Sequence, residues 1–336
     1  MAMASPALAL DRYLAGSAFT APSGVIEVEG LRKEYRRLRH GRRRRSLALD
    51  GLDLFVPTGG VFGLLGPNGS GKTTTIRCLL GLAAPTAGRA RLLGADPTRA
   101  LHTVIARVGS MVETPSFFPT LSGRRTLELL AGTLGIGPSA VAAALAGAGL
   151  ADRADDPVRA YSLGMRQRLG LAAALLRDPE VLILDEPANG LDPAGIKETR
   201  ELLRRLGDEG RTVVLSSHLL AEVQHVCDRV AILDRGRCIA AGSVAEVLHL
   251  GHASGLLVRI DQPTAAQAAL AAVGLTARAC GEGRLLVDLA PDAGADVARA
   301  LAGAGLYPSE LRAQDADLET VFLELTATSA KESAHQ

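Results

Sequence analysis

Residues 66–73 read Gly66-Pro67-Asn68-Gly69-Ser70-Gly71-Lys72-Thr73, and no other stretch limits the possible folds of this chain as strongly. The spacing is G-x-x-x-x-G-K-[ST], a pattern with four fixed positions. Just before it, Val61 to Leu65 is a short apolar run, as a buried strand presents. Just after it, Thr74 to Leu82 is apolar at helical spacing. The motif therefore sits between a strand and a helix, the setting that its chemistry needs. Glycines let the backbone curl so that successive N–H groups point inward at an anion. The helix N-terminus behind them adds the positive end of its dipole. In that arrangement Lys72 reaches the β- and γ-phosphates of a nucleoside triphosphate, and the Thr73 hydroxyl is an Mg²⁺ ligand, with Thr74 next in the contact set. A plain Gly-rich turn before an ordinary helix would carry these fixed residues only by coincidence.

Further motifs follow. Val181-Leu182-Ile183-Leu184 is a buried-strand run that ends in Asp185-Glu186, the Walker B pattern. Tyr161-Ser162-Leu163-Gly164-Met165-Arg166-Gln167-Arg168 lies a short helix upstream of it. Asn189-Gly190-Leu191-Asp192-Pro193 comes after, and Ser216-Ser217-His218 follows the apolar Val213-Val214-Leu215. Taken together and in this order, residues 25–245 resemble the nucleotide-binding subunit of an ABC transporter. The resemblance implies an α/β phosphate-loop NTPase core with a helical subdomain at about 114–170. It implies ATP and Mg²⁺ as ligands, a head-to-tail dimer, and a separate membrane-spanning permease. The chain would then work at the cytoplasmic face of the cell membrane.

The resemblance also assigns roles. Tyr35, an aromatic before the second strand, would stack on adenine. Asp185 would hold Mg²⁺ through water, Glu186 would polarise the attacking water, and His218 would contact the γ-phosphate. Ser162 and Gly164 would complete a partner subunit's phosphate site, although Ser162-Leu163-Gly164-Met165 departs from the commoner Ser-Gly-Gly-Gln. By itself, Ser-x-Gly before a helix is an ordinary cap. Glu113 stands where most of the family has Gln, and its carboxylate suits Mg²⁺. The Glu form is frequent in relatives that export bacitracin-like or lantibiotic peptides, and the chain's C-terminal ending resembles drug-export ATPase subunits of the daunorubicin type.

Composition narrows the alternatives. The chain has 336 residues, 22% charged and 47% hydrophobic, enough for one large domain and a smaller one. Its net charge of +1 gives no global attraction to nucleic acid or membrane. With no Trp and only 3% aromatics, the core must be Leu, Val, Ile and Ala. Cys78, Cys227, Cys238 and Cys280 show no metal spacing. Leu129 to Ala151 is uncharged and long enough to imitate a membrane span. Its Gly135–Ser139 cluster instead reads as a loop between two helices.

Residues 1–24, rich in Ala, Ser and Pro, are expected to be a flexible tail. Arg36 to Arg45 holds seven arginines. The run is open to three readings: a solvated loop between two strands, a contact with anionic lipid, or a source of positive field near the nucleotide. A helix is expected near Arg99–Ala106. Residues 246–327 read β, α, β, β, α, β and then a closing helix, a small ferredoxin-like module, with 328–336 loose. A soluble ABC ATPase acting on DNA or ribosomes is the alternative. It is disfavoured because no sustained heptads occur and the chain has one phosphate loop. No nucleic-acid partner is expected, since no aromatic platform interleaves the arginines.

Overall fold

The computed structural model describes residues 24–39, 42–113, 115–250, 255–281, 283–289, 293–314 and 317–333. The expected N-terminal tail falls outside them up to residue 23, as do Thr114 and residues 334–336. The chain divides into two compact units, Met1–Val244 and Ala245–Gln336.

In the first unit the strands are β1 (Ile26–Arg39), β2 (Arg42–Val56), β3 (Gly60–Leu65), β4 (Ala87–Leu92), β5 (Val108–Met111), β6 (Val181–Asp185), β7 (Thr212–Ser217), β8 (Arg229–Asp234) and β9 (Arg237–Ser243). The helices are α1 (Lys72–Leu79), α2 (Gly123–Leu134), α3 (Pro138–Gly147), α4 (Leu163–Leu175), α5 (Pro193–Asp208) and α6 (Leu220–Gln224), with α7 (Val244–Leu248) at the boundary. One sheet has the order β5-β6-β7-β3-β8-β9, parallel except for β9. A smaller antiparallel sheet has the order β2-β1-β4.

The continuous apolar runs at β3, β6 and β7 follow from this topology. A parallel strand is covered on both faces, so it has no polar side to alternate with. All five residues of β6 are buried, and so are all six of β7. Helix α1 lies in a core shared by both sheets. Its Ile76, Cys78 and Leu79 pack with Leu31, Leu49 and Leu92 from the antiparallel sheet and with Leu64, Ile183 and Val214 from the parallel one. Burying side chains such as Ile76 and Leu79 stabilises by about 1.5–3 kcal/mol each. That packing fixes the start of α1 and hence the loop before it.

The apolar stretch at 129–151 is divided as expected. Gly135 ends α2 in the left-handed region at φ 68°, and Pro138 opens α3. Both pack with α4 around Leu127, Leu145 and Leu169 in a separate helical core. No helix of the described residues is long and apolar enough to cross a membrane.

Two expectations are corrected. Arg99–Ala106 is not an α-helix but contains parts of two single-turn helices, Leu101–Thr103 and Ile105–Arg107. Three consecutive β-branched residues, Thr103, Val104 and Ile105, disfavour a continuous α-helix there. The arginine run is not a loop. β1 and β2 continue as a paired hairpin, with Arg36 opposite Arg45, Arg37 opposite Arg44 and Arg39 opposite Arg42. Only His40 and Gly41 between them lie outside the described residues.

The second unit contains β10 (Gly255–Arg259), α8 (Pro263–Ala272), β11 (Ala277–Ala279), β12 (Arg284–Val287), α9 (Gly294–Gly303), β13 (Glu310–Gln314) and α10 (Leu318–Ser333). Its antiparallel sheet has the order β11-β12-β10-β13, the split βαββαβ arrangement. Leu270 from α8 and Leu301 from α9 meet Val258, Leu285 and Val287 in its own core. The closing helix continues to Ser333, past the start of the expected loose end.

Candidate functional site

The site forms where β3, β6 and β7 end side by side. In a parallel sheet, loops leaving the carboxyl ends of adjacent strands converge. Asp185 stands in register with Ser216, and Leu64 with the same Ser216 from the other side.

The loop from Gly66 to Gly71 takes backbone conformations that only glycine adopts readily. Gly66 has φ 146° and Gly71 φ 113°. A Cβ at Gly66 would lie 2.2 Å from the Leu233 carbonyl oxygen, and one at Gly71 would lie 2.9 Å from that of Ala48. The loop is tied down elsewhere by the Gly236 N–H donating to the Ser70 carbonyl at 2.8 Å and the Ser70 N–H to that of Pro67 at 3.1 Å. Lys72 opens α1 with its side chain only 5% exposed. Its ammonium donates to the Gly66 carbonyl at 2.7 Å and the Pro67 carbonyl at 3.3 Å, and lies 3.4 Å from Glu186 Oε1. The buried Ser70 hydroxyl has no partner.

Behind the lysine, three side chains form a polar network. Thr73 Oγ1 donates to Asp185 Oδ1 at 3.1 Å, and Ser216 Oγ donates to the same oxygen at 2.5 Å. The Glu186 N–H in turn donates to Ser216 Oγ at 2.9 Å. Glu186 holds φ 49°, a left-handed conformation uncommon for a non-glycine residue. Its other carboxylate oxygen, Oε2, lies 2.8 Å from His218 Nδ1.

A pocket of about 430 Å³ opens over this group. Asn68, Gly69, Gly71, Lys72, Thr73 and Thr74 line one side, and Glu186, Asn189 and His218 another. Ser46, Leu47 and Ala48 complete the wall from β2. A larger cavity of about 710 Å³ lies at the opposite ends of the same strands, near Val181 and Thr212. Five of its seven charged lining residues pair with one another, Arg107 with Glu180 and Arg211 with both Asp178 and Glu209. Most of that charge is already paired, whereas at the phosphate loop the buried Ser70 hydroxyl has no partner.

The residues present fit a triphosphate and its metal. Backbone N–H groups, a buried ammonium and an unpaired buried hydroxyl meet at one loop, which is the donor set that a phosphate requires. Among the described residues no group of three or more His, Cys, Asp and Glu gathers to hold a metal alone. Mg²⁺ does not need one, because it binds through one or two protein oxygens together with phosphates and waters.

The remaining expected residues stand apart from the pocket lining. The Lys33 ammonium lies 5.0 Å over the Tyr35 ring. Glu113 is ion-paired with Arg77 and holds φ 67°. Burial works against the Arg77 charge, but Glu113 and Tyr35 beside it outweigh that and hold its pKa above the usual value. Ser162 caps α4, accepting from the Met165 N–H at 3.2 Å. Gly164 faces Leu191, whose methyl would be 3.5 Å from an added Cβ.

Sequence reasoning gave no role to three residues that the fold makes prominent. Ser216 bridges Asp185 and Glu186. Gln167, from α4, donates to the Asn189 carbonyl at 2.9 Å, and Asn189 lines the pocket. The α4 stretch is thereby linked to the site. The signal for Ser216 was its place at the end of a buried strand, which has meaning only once β6 and β7 are known to be neighbours.

Comparison with known proteins agrees with this geometry. The family model described as "ABC transporter" matches residues 49–189. The bacitracin transport ATP-binding protein BcrA of Enterococcus faecalis is 41% identical over 225 residues, 66% of this chain and 70% of that protein. The daunorubicin resistance ATP-binding protein DrrA3 of Streptomyces coeruleorubidus is 38% identical over 311 residues, 90% of this chain and 96% of that protein. A solved structure of an ATP-binding subunit of an ABC transporter superposes with a TM-score of 0.57 at 28% identity, over 67% of this chain and 92% of that one. With a phosphate loop, a Walker B carboxylate pair and likeness over nearly the full length of such a relative, this chain belongs to the ATP-binding proteins of ABC transporters and is an ATPase.

Proposed function

We propose that this subunit hydrolyses Mg·ATP to drive export of a drug or antimicrobial peptide through a separate permease, at the cytoplasmic face of the membrane. The observation that carries the catalytic part is the cluster at the strand ends. Lys72 and His218 each contact a different oxygen of Glu186, and Asp185 lies behind them with Thr73. The likeness to BcrA and DrrA3 supports the cargo class.

The roles follow from the chemistry of each group. The Gly66–Gly71 backbone and Lys72 hold the β- and γ-phosphates, and Lys72 exchanges its loop carbonyls for phosphate oxygens as ATP enters. Thr73 and Asp185 would hold Mg²⁺, which supplies charge neutralisation on the phosphates. Glu113 is a further carboxylate near α1 for the metal once it leaves Arg77. Glu186 orients and deprotonates the attacking water, and His218 fixes the carboxylate that does so. Tyr35 stacks on the adenine. Ser162 and Gly164, at the start of α4, close over the γ-phosphate of a second subunit, so that two chains associate head to tail around ATP. The second unit serves regulation or subunit contact.

Purification from detergent-solubilised membranes, with every bound chain identified, tests the transport reading. Recovery of a membrane-spanning chain in stoichiometric amount supports it. Recovery only of ribosomes or DNA-bound complexes would contradict it.

A further inference from the structure

Arg77 takes no part in the chemistry described above, yet it stands among residues that do. It lies on α1 one turn beyond Thr73. Residues four apart share a helix face, about 6 Å apart along the axis. Its guanidinium donates to Glu113 Oε1. Glu113 comes just after β5, where Met111 stands beside Leu184 of β6 in the parallel ladder. Two residues further on, Glu113 leaves β5 level with the point where Glu186 leaves β6, one strand away. The Arg77–Glu113 pair therefore sits at the same end of the sheet as the Thr73–Asp185 bond.

Two features suit this pair to exchange. It is accessible, with the Glu113 side chain 64% exposed and that of Arg77 37%. Exposed ion pairs add little to stability, so breaking this one costs little. A second partner for Arg77 is also in place. The Tyr35 hydroxyl oxygen is buried and has no hydrogen-bond partner. It stands beside Arg77. A buried hydroxyl ordinarily has a partner, and a guanidinium let go by Glu113 can donate to it.

Charge supplies the reason for such an exchange. An unpaired carboxylate at this point repels an incoming triphosphate while no metal is present, and it attracts Mg²⁺ once the ion arrives. Paired with Arg77, the carboxylate is neutralised.

We propose that Arg77 is a positioning residue with two partners: it neutralises Glu113 while the pocket lacks metal, and it turns to the Tyr35 hydroxyl when Glu113 turns to Mg²⁺. This rests on the reading of the pocket as the Mg·ATP site. The exchange lets an acidic side chain serve a site that must first admit an anion. It also ties the metal to the residue proposed to hold the adenine.

The test is calorimetric titration of the full chain with adenylyl imidodiphosphate, an ATP analogue that is not hydrolysed, once in excess Mg²⁺ and once in EDTA. Arg77→Gln should weaken binding in EDTA about 10-fold, because Glu113 is left bare, and change binding in Mg²⁺ far less. In a Glu113→Gln background the same Arg77 change should have no effect in EDTA. Tyr35→Phe keeps the ring and should do the reverse: binding in EDTA unchanged, binding in Mg²⁺ weaker by about 10-fold. A merely structural ion pair would shift both conditions together. Equal losses in Mg²⁺ and EDTA for Arg77→Gln therefore overturn the proposal. So does a loss in EDTA that persists in the Glu113→Gln background, a Tyr35→Phe chain that matches wild type in Mg²⁺, or a wild-type chain that binds no analogue without metal. Failure of the pocket reading would look different: Lys72→Ala would bind the analogue as tightly as wild type under both conditions.

Discussion

Ser216→Ala tests whether the carboxylate network, and not the phosphate loop alone, sets the metal site. Ser216 is 0% exposed, and its hydroxyl serves both carboxylate residues. It donates to Asp185 Oδ1 at 2.5 Å and accepts from the Glu186 N–H at 2.9 Å. Alanine removes both bonds and admits no water in their place. A hydrogen bond to a charged group contributes about 1.5–3 kcal/mol, and a buried N–H left unpaired costs about 1–3 kcal/mol. The two effects overlap, so the variant should lose about 2–4 kcal/mol of stability. Asp185 is also a proposed Mg²⁺ holder, and removing a group that orients a metal ligand costs about 10–100-fold in affinity. The first assay is urea unfolding followed by circular dichroism, since the chain has no Trp to report by fluorescence. The second is ATPase activity titrated with Mg²⁺ at fixed ATP. An unchanged unfolding midpoint together with an unchanged half-saturating Mg²⁺ would refute the network as drawn.

Three further outcomes are expected. Gly66→Ala places a Cβ 2.2 Å from the Leu233 carbonyl oxygen, so equilibrium unfolding should show a loss of about 1–3 kcal/mol and nucleotide titration a weaker site. Burial pushes the Asp228 carboxyl up, but the Val61 N–H and Arg204 outweigh it and hold its pKa below the usual carboxylate range. Its stabilisation is therefore present above that range and lost as pH falls through the lowered value; Asp228→Asn should be less stable than wild type at pH 7, with the gap closing in acid unfolding below about pH 4. Mixing Ser162→Arg with Lys72→Ala chains should restore ATPase activity that neither has alone, because one composite site then pairs an intact phosphate loop with an intact Ser162. No recovery from a mixture that demonstrably forms heterodimers would contradict the head-to-tail arrangement.

Much of the core was legible because parallel strands are buried on both faces. Val61–Leu65, Val181–Leu184 and Val213–Leu215 stand out as apolar runs; Asp185 and Glu186 follow the second directly, and His218 comes two serines after the third. The βαββαβ order at the C-terminal end was legible because its elements are short apolar runs, most of them followed within a few residues by Gly or Pro. What escaped depends on contacts distant in sequence. Ser216 matters only because β6 and β7 lie in register. Glu113 meets Arg77 through the packing of α1. The arginine run reads as loop by charge alone, yet Leu31, Leu49 and Leu52 anchor β1 and β2 in the core and the ladder continues outward from them. Arg99–Ala106 had helical apolar spacing, but β-branched residues in succession broke it into single turns.

Glu186→Gln addresses the catalytic proposal most directly. The amide keeps the shape of the side chain but cannot accept a proton from water. Lys72, Thr73 and Asp185 remain, so ATP binding should survive while turnover falls by about 10²–10⁴. With hydrolysis blocked, ATP should hold two chains together, and more so as its concentration rises. Size-exclusion chromatography with light scattering, with and without Mg·ATP and beside wild type, reads this out together with the rate of phosphate release. The expected result is a slow variant that elutes as an ATP-bound dimer. A variant that turns over ATP as fast as wild type would contradict it.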